Sequence, residues 1–121
     1  MFLGNVIEEK SFNFAVRVIK LYKHISQRQN DYILSKQILR SGTSIGANIS
    51  EAQQAQSKAD FISKMSIALK ETTETKYWLK LLKETDYITE SEFNSIFGDC
   101  AELERILVSI IKTSKKQIAC F

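Results

Sequence analysis

Proline is absent from all 121 residues, and glycine occurs only four times. Average usage of about 5% would supply roughly six prolines. A β-rich domain needs many turns, and turns recruit both residues. Their scarcity therefore speaks against sandwiches and barrels and for long uninterrupted helices. Two cysteines, Cys100 and Cys120, are too few for a disulfide framework, so a reducing cytoplasm is the expected home. A single histidine beside them leaves too few soft ligands for a Cys/His zinc site. Long apolar runs are missing too. The stretch Ile106 to Ile111 contains Ser109 and is closed by Arg105 and Lys112, far short of the roughly 20 residues that span a bilayer. Met1 to Lys10 has neither a basic start nor a long apolar region, so no signal peptide is expected.

What is present suits an ordinary globular chain: 44% hydrophobic and 26% charged residues with a net charge of +3. At this length about two-thirds of the unfolded surface can be buried. One domain over residues 1–121 is expected, with short frayed segments at both ends. Apolar spacing divides it into four helical segments. The first starts between Asn5 and Ser11 and ends near Gln27; its apolar residues cover an arc of roughly 220°, wider than one core requires. The polar joint from Arg28 to Asp31 offers capping side chains for the second segment. That segment, about Tyr32 to Gln56, carries Leu34, Ile38, Ile45, Ile49 and Ala52 in one phase. Its middle, Ser41 to Gly46, has poor helix propensity, but the phase runs through it unbroken and predicts a continuous helix.

The third segment begins after Ser57 and ends near Thr85. Thr89 and Glu92 form a capping box opening the fourth. The architecture expected is all-α, an antiparallel up-down-up-down four-helix bundle. Its predicted core is Phe12, Ala15, Ile19, Ile38, Ile45, Ile49, Phe61, Met65, Leu79, Leu82, Phe97, Cys100, Leu103 and Leu107.

Enzymatic chemistry finds little support. Gly42 and Gly46 are not followed by Lys-Ser or Lys-Thr, so they form no phosphate loop; small residues that let two helices approach are the simpler reading. His24 has no orienting carboxylate or nucleophile at a catalytic spacing. Cys100 lies in an apolar stripe as a buried small hydrophobe, and Cys120 sits at the terminus. Glu71 and Glu74 have a spacing seen in di-iron bundles, but no Glu-x-x-His accompanies them. No catalytic residue, metal or cofactor is expected.

Three surface features remain. Arg40, Ser44, Asn48 and Glu51 lie within about 80° beside the second helix's apolar stripe, and Glu104 falls inside the fourth helix's apolar arc. They read as a hydrogen-bonded polar network fixing helix register, or alternatively as a ligand pocket. Arg40 is a plausible partner for Glu104, although spacing does not settle which acid it meets. On the first helix Lys10, Arg17, Lys20, His24 and Arg28 share a face of about 80°, with no acid between Lys10 and Asn30. The acids gather from Glu84 to Glu104, where neither Lys nor Arg occurs. Such a ridge is either a solvated face or a phosphate-binding surface for RNA or DNA. Finally, Tyr77 and Trp78 project roughly 160° and 100° from the third helix's core centre, and with the spare apolar surface of the first helix they mark an oligomer interface.

The run Arg40-Ser41-Gly42-Thr43-Ser44-Ile45-Gly46-Ala47-Asn48-Ile49-Ser50-Glu51-Ala52 resembles the signature of the 23S rRNA intervening-sequence protein family. Phe61, the run Ile67-Ala68-Leu69, Glu71 and Glu74 look like that family too, and the likeness extends from about Lys10 to Lys115. Many relatives have proline where this chain has Gly46 and glycine where it has Ala52. The resemblance implies an antiparallel four-helix bundle that assembles as a ring-like homopentamer and brings no catalytic residues. The chain is also similar to the accessory variability proteins of diversity-generating retroelements, basic pentamers that bind nucleic acid and a reverse transcriptase. The expected partners are thus further copies of the chain, RNA or DNA, or another protein, with no membrane. A protein-interaction scaffold without nucleic-acid binding is the alternative.

Overall fold

Four helices form where the four apolar phases run. The computed structural model describes residues 5–29 and 32–119, in which α1 is Val6–Gln29, α2 Ile33–Ala52, α3 Lys58–Glu84 and α4 Glu90–Ala119. No strand occurs among the described residues. Asn30, Asp31, Cys120 and the expected frayed ends at 1–4 and 120–121 lie outside them.

Helix ends follow local chemistry. Ser57 has extended backbone, and its hydroxyl accepts the Asp60 N–H at 3.0 Å, capping α3. The capping box at α4 is complete: the Thr89 hydroxyl accepts the Glu92 N–H at 3.1 Å, and Glu92 Oε1 accepts the Thr89 N–H at 2.8 Å. α3 ends with Asp86 in the left-handed region, φ 65°. The Tyr87 N–H reaches back to the Leu82 carbonyl at 2.9 Å and the Asp86 N–H to Lys83 at 3.2 Å, a Schellman closure with aspartate where glycine is usual. α2 behaves differently from expectation at both ends. Tyr32 precedes it without a side-chain cap, and it stops at Ala52 rather than Gln56. The last buried side chain of its stripe is Ala52, and the chain must then turn to reach the Ser57 cap.

Contacts run in opposite chain directions at every seam. Val18 meets Gly42 while Ser11 meets Gly46, so α1 and α2 are antiparallel. Arg40 reaches Glu71 and Glu74 while Glu51 meets Lys64, which makes α2 and α3 antiparallel. Lys83 covers Phe93 and Lys76 covers Phe97 across α3 and α4. Lys10 meets Glu102 and His24 meets Glu92 across α1 and α4, which form the loosest of the four seams. The continuous α2 through Ser41–Gly46 is borne out, and those small residues do admit a close neighbour. Inside, the Thr75 hydroxyl donates to Ser41 Oγ at 3.0 Å, so this buried polar pair is satisfied.

Nine of the predicted core side chains are buried: Ile38, Ile45, Ile49, Met65, Leu79, Leu82, Cys100, Leu103 and Leu107. Ala15, Phe61 and Phe97 are half-buried. Two expectations on α1 are corrected. Phe12 is 46% and Ile19 39% exposed, while Phe14, Val18 and Ile25 fill the core instead. The wide apolar arc holds two stripes, and Ile19 lies roughly 140° around the helix from Phe14. Packing against α2 selects between them, because Gly42 leaves room for Val18. A Cβ on Gly42 would sit 2.7 Å from Val18 Cγ2.

This geometry separates two glycine substitutions of identical chemistry. Gly98, on the exposed side of α4, has nothing within 4 Å of a Cβ position. Gly98→Ala should stabilise by about 0.5–1 kcal/mol through helix propensity alone. Gly42→Ala should destabilise, because overpacking of about 1–3 kcal/mol outweighs that gain. Urea denaturation of the two variants against wild type checks the opposite signs.

Candidate nucleic-acid interface

The predicted basic ridge exists, and it lies along the α1–α4 seam. Lys20, His24 and Arg28 are exposed, and Lys10 and Arg17 half-buried. α4 supplies what the first helix lacks. Lys10 Nζ lies 3.1 Å from Glu102, and Arg17 donates to Asp99 at 2.5 Å and to the Ser95 hydroxyl at 2.8 Å. His24 Nε2 sits 3.2 Å from Glu92 Oε2 and 3.1 Å from Arg28 Nη1. Unprotonated, that nitrogen accepts from the guanidinium; protonated, it donates to the carboxylate. Arg28 also lies 3.7 Å from Glu92 and donates to the Tyr87 carbonyl, tying the end of α1 to the α3–α4 turn. Among the described residues, Lys20 alone of the five has no carboxylate partner. The ridge is therefore one side of a charge zipper, not a row of bare cations. A shallow groove of about 430 Å³ opens here between Arg17, Lys20 and His24 on one wall and Ser91, Glu92 and Ser95 on the other.

Glu92 is the anchor of this zipper. The Thr89 N–H holds its carboxyl below the usual carboxylate range, and the Thr89 hydroxyl, Arg28 and His24 add to that effect against the opposing cost of burial.

The polar set beside α2 is not one network. Ser44 and Asn48 hydroxyl and amide groups donate to carbonyls one turn back, at 2.7 and 2.8 Å. Glu51 pairs with Lys64 at 3.5 Å. Arg40 does not meet Glu104. It reaches α3, where it pairs with Glu71 at 3.4 Å and with Glu74, whose carboxylate also accepts the Trp78 indole N–H at 2.9 Å. The reason is topological: α2 and α4 are diagonal in the bundle and do not pack together. Glu104 instead takes Lys76 of α3 at 3.0 Å. Tyr77 is 57% exposed and stacks edge-on with half-buried Trp78, ring centroids 5.3 Å apart.

One cluster was not anticipated. Phe93 and Phe97 stack at 4.7 Å, and the ammonium groups of Lys83, Lys76 and Lys80 lie 4.8, 5.5 and 5.8 Å from their ring centres. The i, i+4 spacing of the two phenylalanines was its only visible sign. Chemistry of nucleophilic type is not indicated. Burial and the charge of Glu104 push the Cys100 thiol up to about 12, and Cys120 lies outside the described residues. No group of His, Cys, Asp or Glu able to hold a metal occurs among the described residues. Among them, too, no helix is long and apolar enough to cross a membrane.

The family model described as 23S rRNA-intervening sequence protein matches residues 5–109. The chain belongs to that family. A crystal structure of a protein of unknown function from the S23 ribosomal protein family of Bacteroides thetaiotaomicron agrees with it. That protein is 58% identical, and the match covers 88% of this chain and 99% of that one at a TM-score of 0.87. No curated protein matches. Membership in the 23S rRNA-intervening sequence protein family thus accords with the α2 signature, and the family's four-helix architecture is the one observed.

Glu92 yields a pH test with a definite sign. Its pKa is depressed in the folded state, so its stabilisation is present above the ordinary carboxylate value of 4.5 and disappears as pH falls below it. Glu92→Gln, which removes the charge and keeps the side chain's length, should be less stable than wild type at pH 7, by a margin that shrinks as the pH is lowered from 4.5 toward 3. Thermal melts of both forms across that range check it.

Proposed function

We propose that this family member is a non-enzymatic, cytoplasmic homo-oligomer that binds RNA or DNA through phosphate contacts, with five copies as the number the family resemblance suggests. The observation that carries the binding reading is the solvent edge of the α1 ridge. Lys20 is exposed and unpaired among the described residues, Arg17 and His24 line the groove beside it, and Arg28 lies one turn further along α1, 3.1 Å from His24. Their carboxylate partners lie on the α4 wall, so phosphate must compete with Glu92 and Asp99 for these cations. Contacts of that kind are individually weak and carry little sequence information. Assembly would repeat them in every subunit, and avidity then raises the total. The assembly reading draws on Ile19 and Tyr77, which hold apolar surface outside the core, with half-buried Trp78 packed edge-on against Tyr77. The same surface favours the second reading, a protein-interaction scaffold.

One set of measurements separates them. Light scattering should return a multiple of the 13.9 kDa chain mass. Fluorescence anisotropy with a labelled RNA hairpin at about 50 mM salt should show binding that weakens steeply as salt rises. Arg17→Gln combined with Lys20→Glu should weaken binding by a few-fold and flatten the salt dependence while the bundle stays folded. A wild-type oligomer with no affinity for RNA or DNA under these conditions leaves the scaffold reading in place, and a monomer contradicts both.

A further inference from the structure

The charge on α4 is segregated along its length. Glu90, Glu92, Asp99, Glu102 and Glu104 occupy its first half, and no acid follows Glu104. The second half carries Arg105, Lys112, Lys115 and Lys116, all exposed. Four of those acids, Glu92, Asp99, Glu102 and Glu104, pair with Lys10, Arg17, His24, Arg28 and Lys76, and Glu90 lies a full half-helix away from the second-half cations, in the first turn. The second-half cations have no carboxylate partner among the described residues. The facing acids do not reach them. Glu8 and Glu9 at the start of α1 make no ion pair with this helix, and the Asp60 carboxylate accepts the Gln56 N–H.

At 100° per residue, Arg105, Lys112 and Lys116 fall within about 40° of one another, with Lys115 at the margin. Leu103, Leu107, Ile111 and Ser114, all buried, occupy the opposite face. The stripe therefore points straight out of the bundle. Compensation of the helix dipole accounts for Lys116, the cation in the last turn, but not for Arg105 or Lys112, which lie outside that turn. A lipid surface fits poorly, because an interfacial helix needs a free apolar face and the apolar face of this one is already in the core. A polyanion that lies along the outside of a rigid helix fits well.

Resting on the nucleic-acid reading above, we propose that the principal docking stripe for the sugar-phosphate backbone is the outer face of α4 formed by Arg105, Lys112 and Lys116, and that the α1 ridge contributes less. The physical reason is competition. A phosphate approaching Lys10, Arg17, His24 or Arg28 must displace a carboxylate, which leaves Lys20 alone of the ridge open, whereas one approaching this stripe displaces only water and counterions at every position.

The test compares three full-length proteins by anisotropy with a labelled RNA hairpin and a DNA duplex of equal length: wild type, Arg105→Gln/Lys112→Gln/Lys116→Gln, and Arg17→Gln/Lys20→Glu. The triple variant should fold as wild type, because these side chains are exposed and unpaired. It should lose affinity about tenfold or more at low salt, and its log–log salt slope should fall by about 0.9 for each lost duplex contact. The α1 variant should lose less. If wild type binds and the triple variant binds equally well, the stripe is wrong and the nucleic-acid reading survives. If wild type binds neither probe, both fall. Binding to anionic vesicles without binding to either nucleic acid overturns the stripe's assignment as well.

Discussion

The contact between Val18 and the bare backbone of Gly42 sets the rotation of α1, and most of the surface follows from that rotation. A helix with a single apolar stripe has one way to face a core. α1 has an arc wide enough for two, and its sequence does not rank them. The missing Cβ at Gly42 removes the obstruction on one side, with Gly46 repeating the accommodation opposite Ser11 at 3.3 Å. Once Val18 enters that gap, Phe14 and Ile25 turn inward with it, and Ile19 turns outward. The helix thereby carries its cations to the α4 seam and its second apolar stripe to solvent.

The electrostatic pattern is the consequence. α1 has no acid between Lys10 and its end, and the first half of α4 has no base. Antiparallel packing lays these complementary segments side by side, so Glu102, Asp99 and Glu92 meet Lys10, Arg17, and His24 with Arg28 in order. Exposed pairs of this kind contribute at most about 1 kcal/mol each. Their larger effect is to orient the loosest seam of the bundle and to withdraw positive charge from the surface. Lys20 and Lys23 on α1 and the run that closes α4 are among the cations left without a carboxylate among the described residues.

The fold was legible in the sequence because every helix was specified by its apolar phase, and α3 and α4 by their capped starts as well. Ser57 and the Thr89–Glu92 box place two starts within a residue, and the phase across Ser41–Gly46 correctly overrode poor propensity. The Asp86 turn was harder to read, because its left-handed residue is not glycine. The candidate site was legible as a list of cations but not as a charged surface. Periodicity along one helix gives which residues share a face and says nothing about what the neighbouring helix brings to it. The same blindness left the partner of Arg40 open. Its distance in sequence from Glu71 and Glu104 is uninformative, and only the diagonal placement of α2 and α4 decides between them.

Adjacent residues on α1 offer the most direct test of the rotation that organises the rest. Val18 is fully buried and Ile19 is 39% exposed. A carboxylate at the first position would be buried without a partner, and at the second it would meet water. Chemical denaturation of Val18→Glu and Ile19→Glu, followed by circular dichroism, should therefore give an unfolded or severely destabilised protein for Val18→Glu and a cooperatively folded helical one for Ile19→Glu. The reverse order, or equal loss in both, would contradict the assignment of α1's inner face and everything built on it.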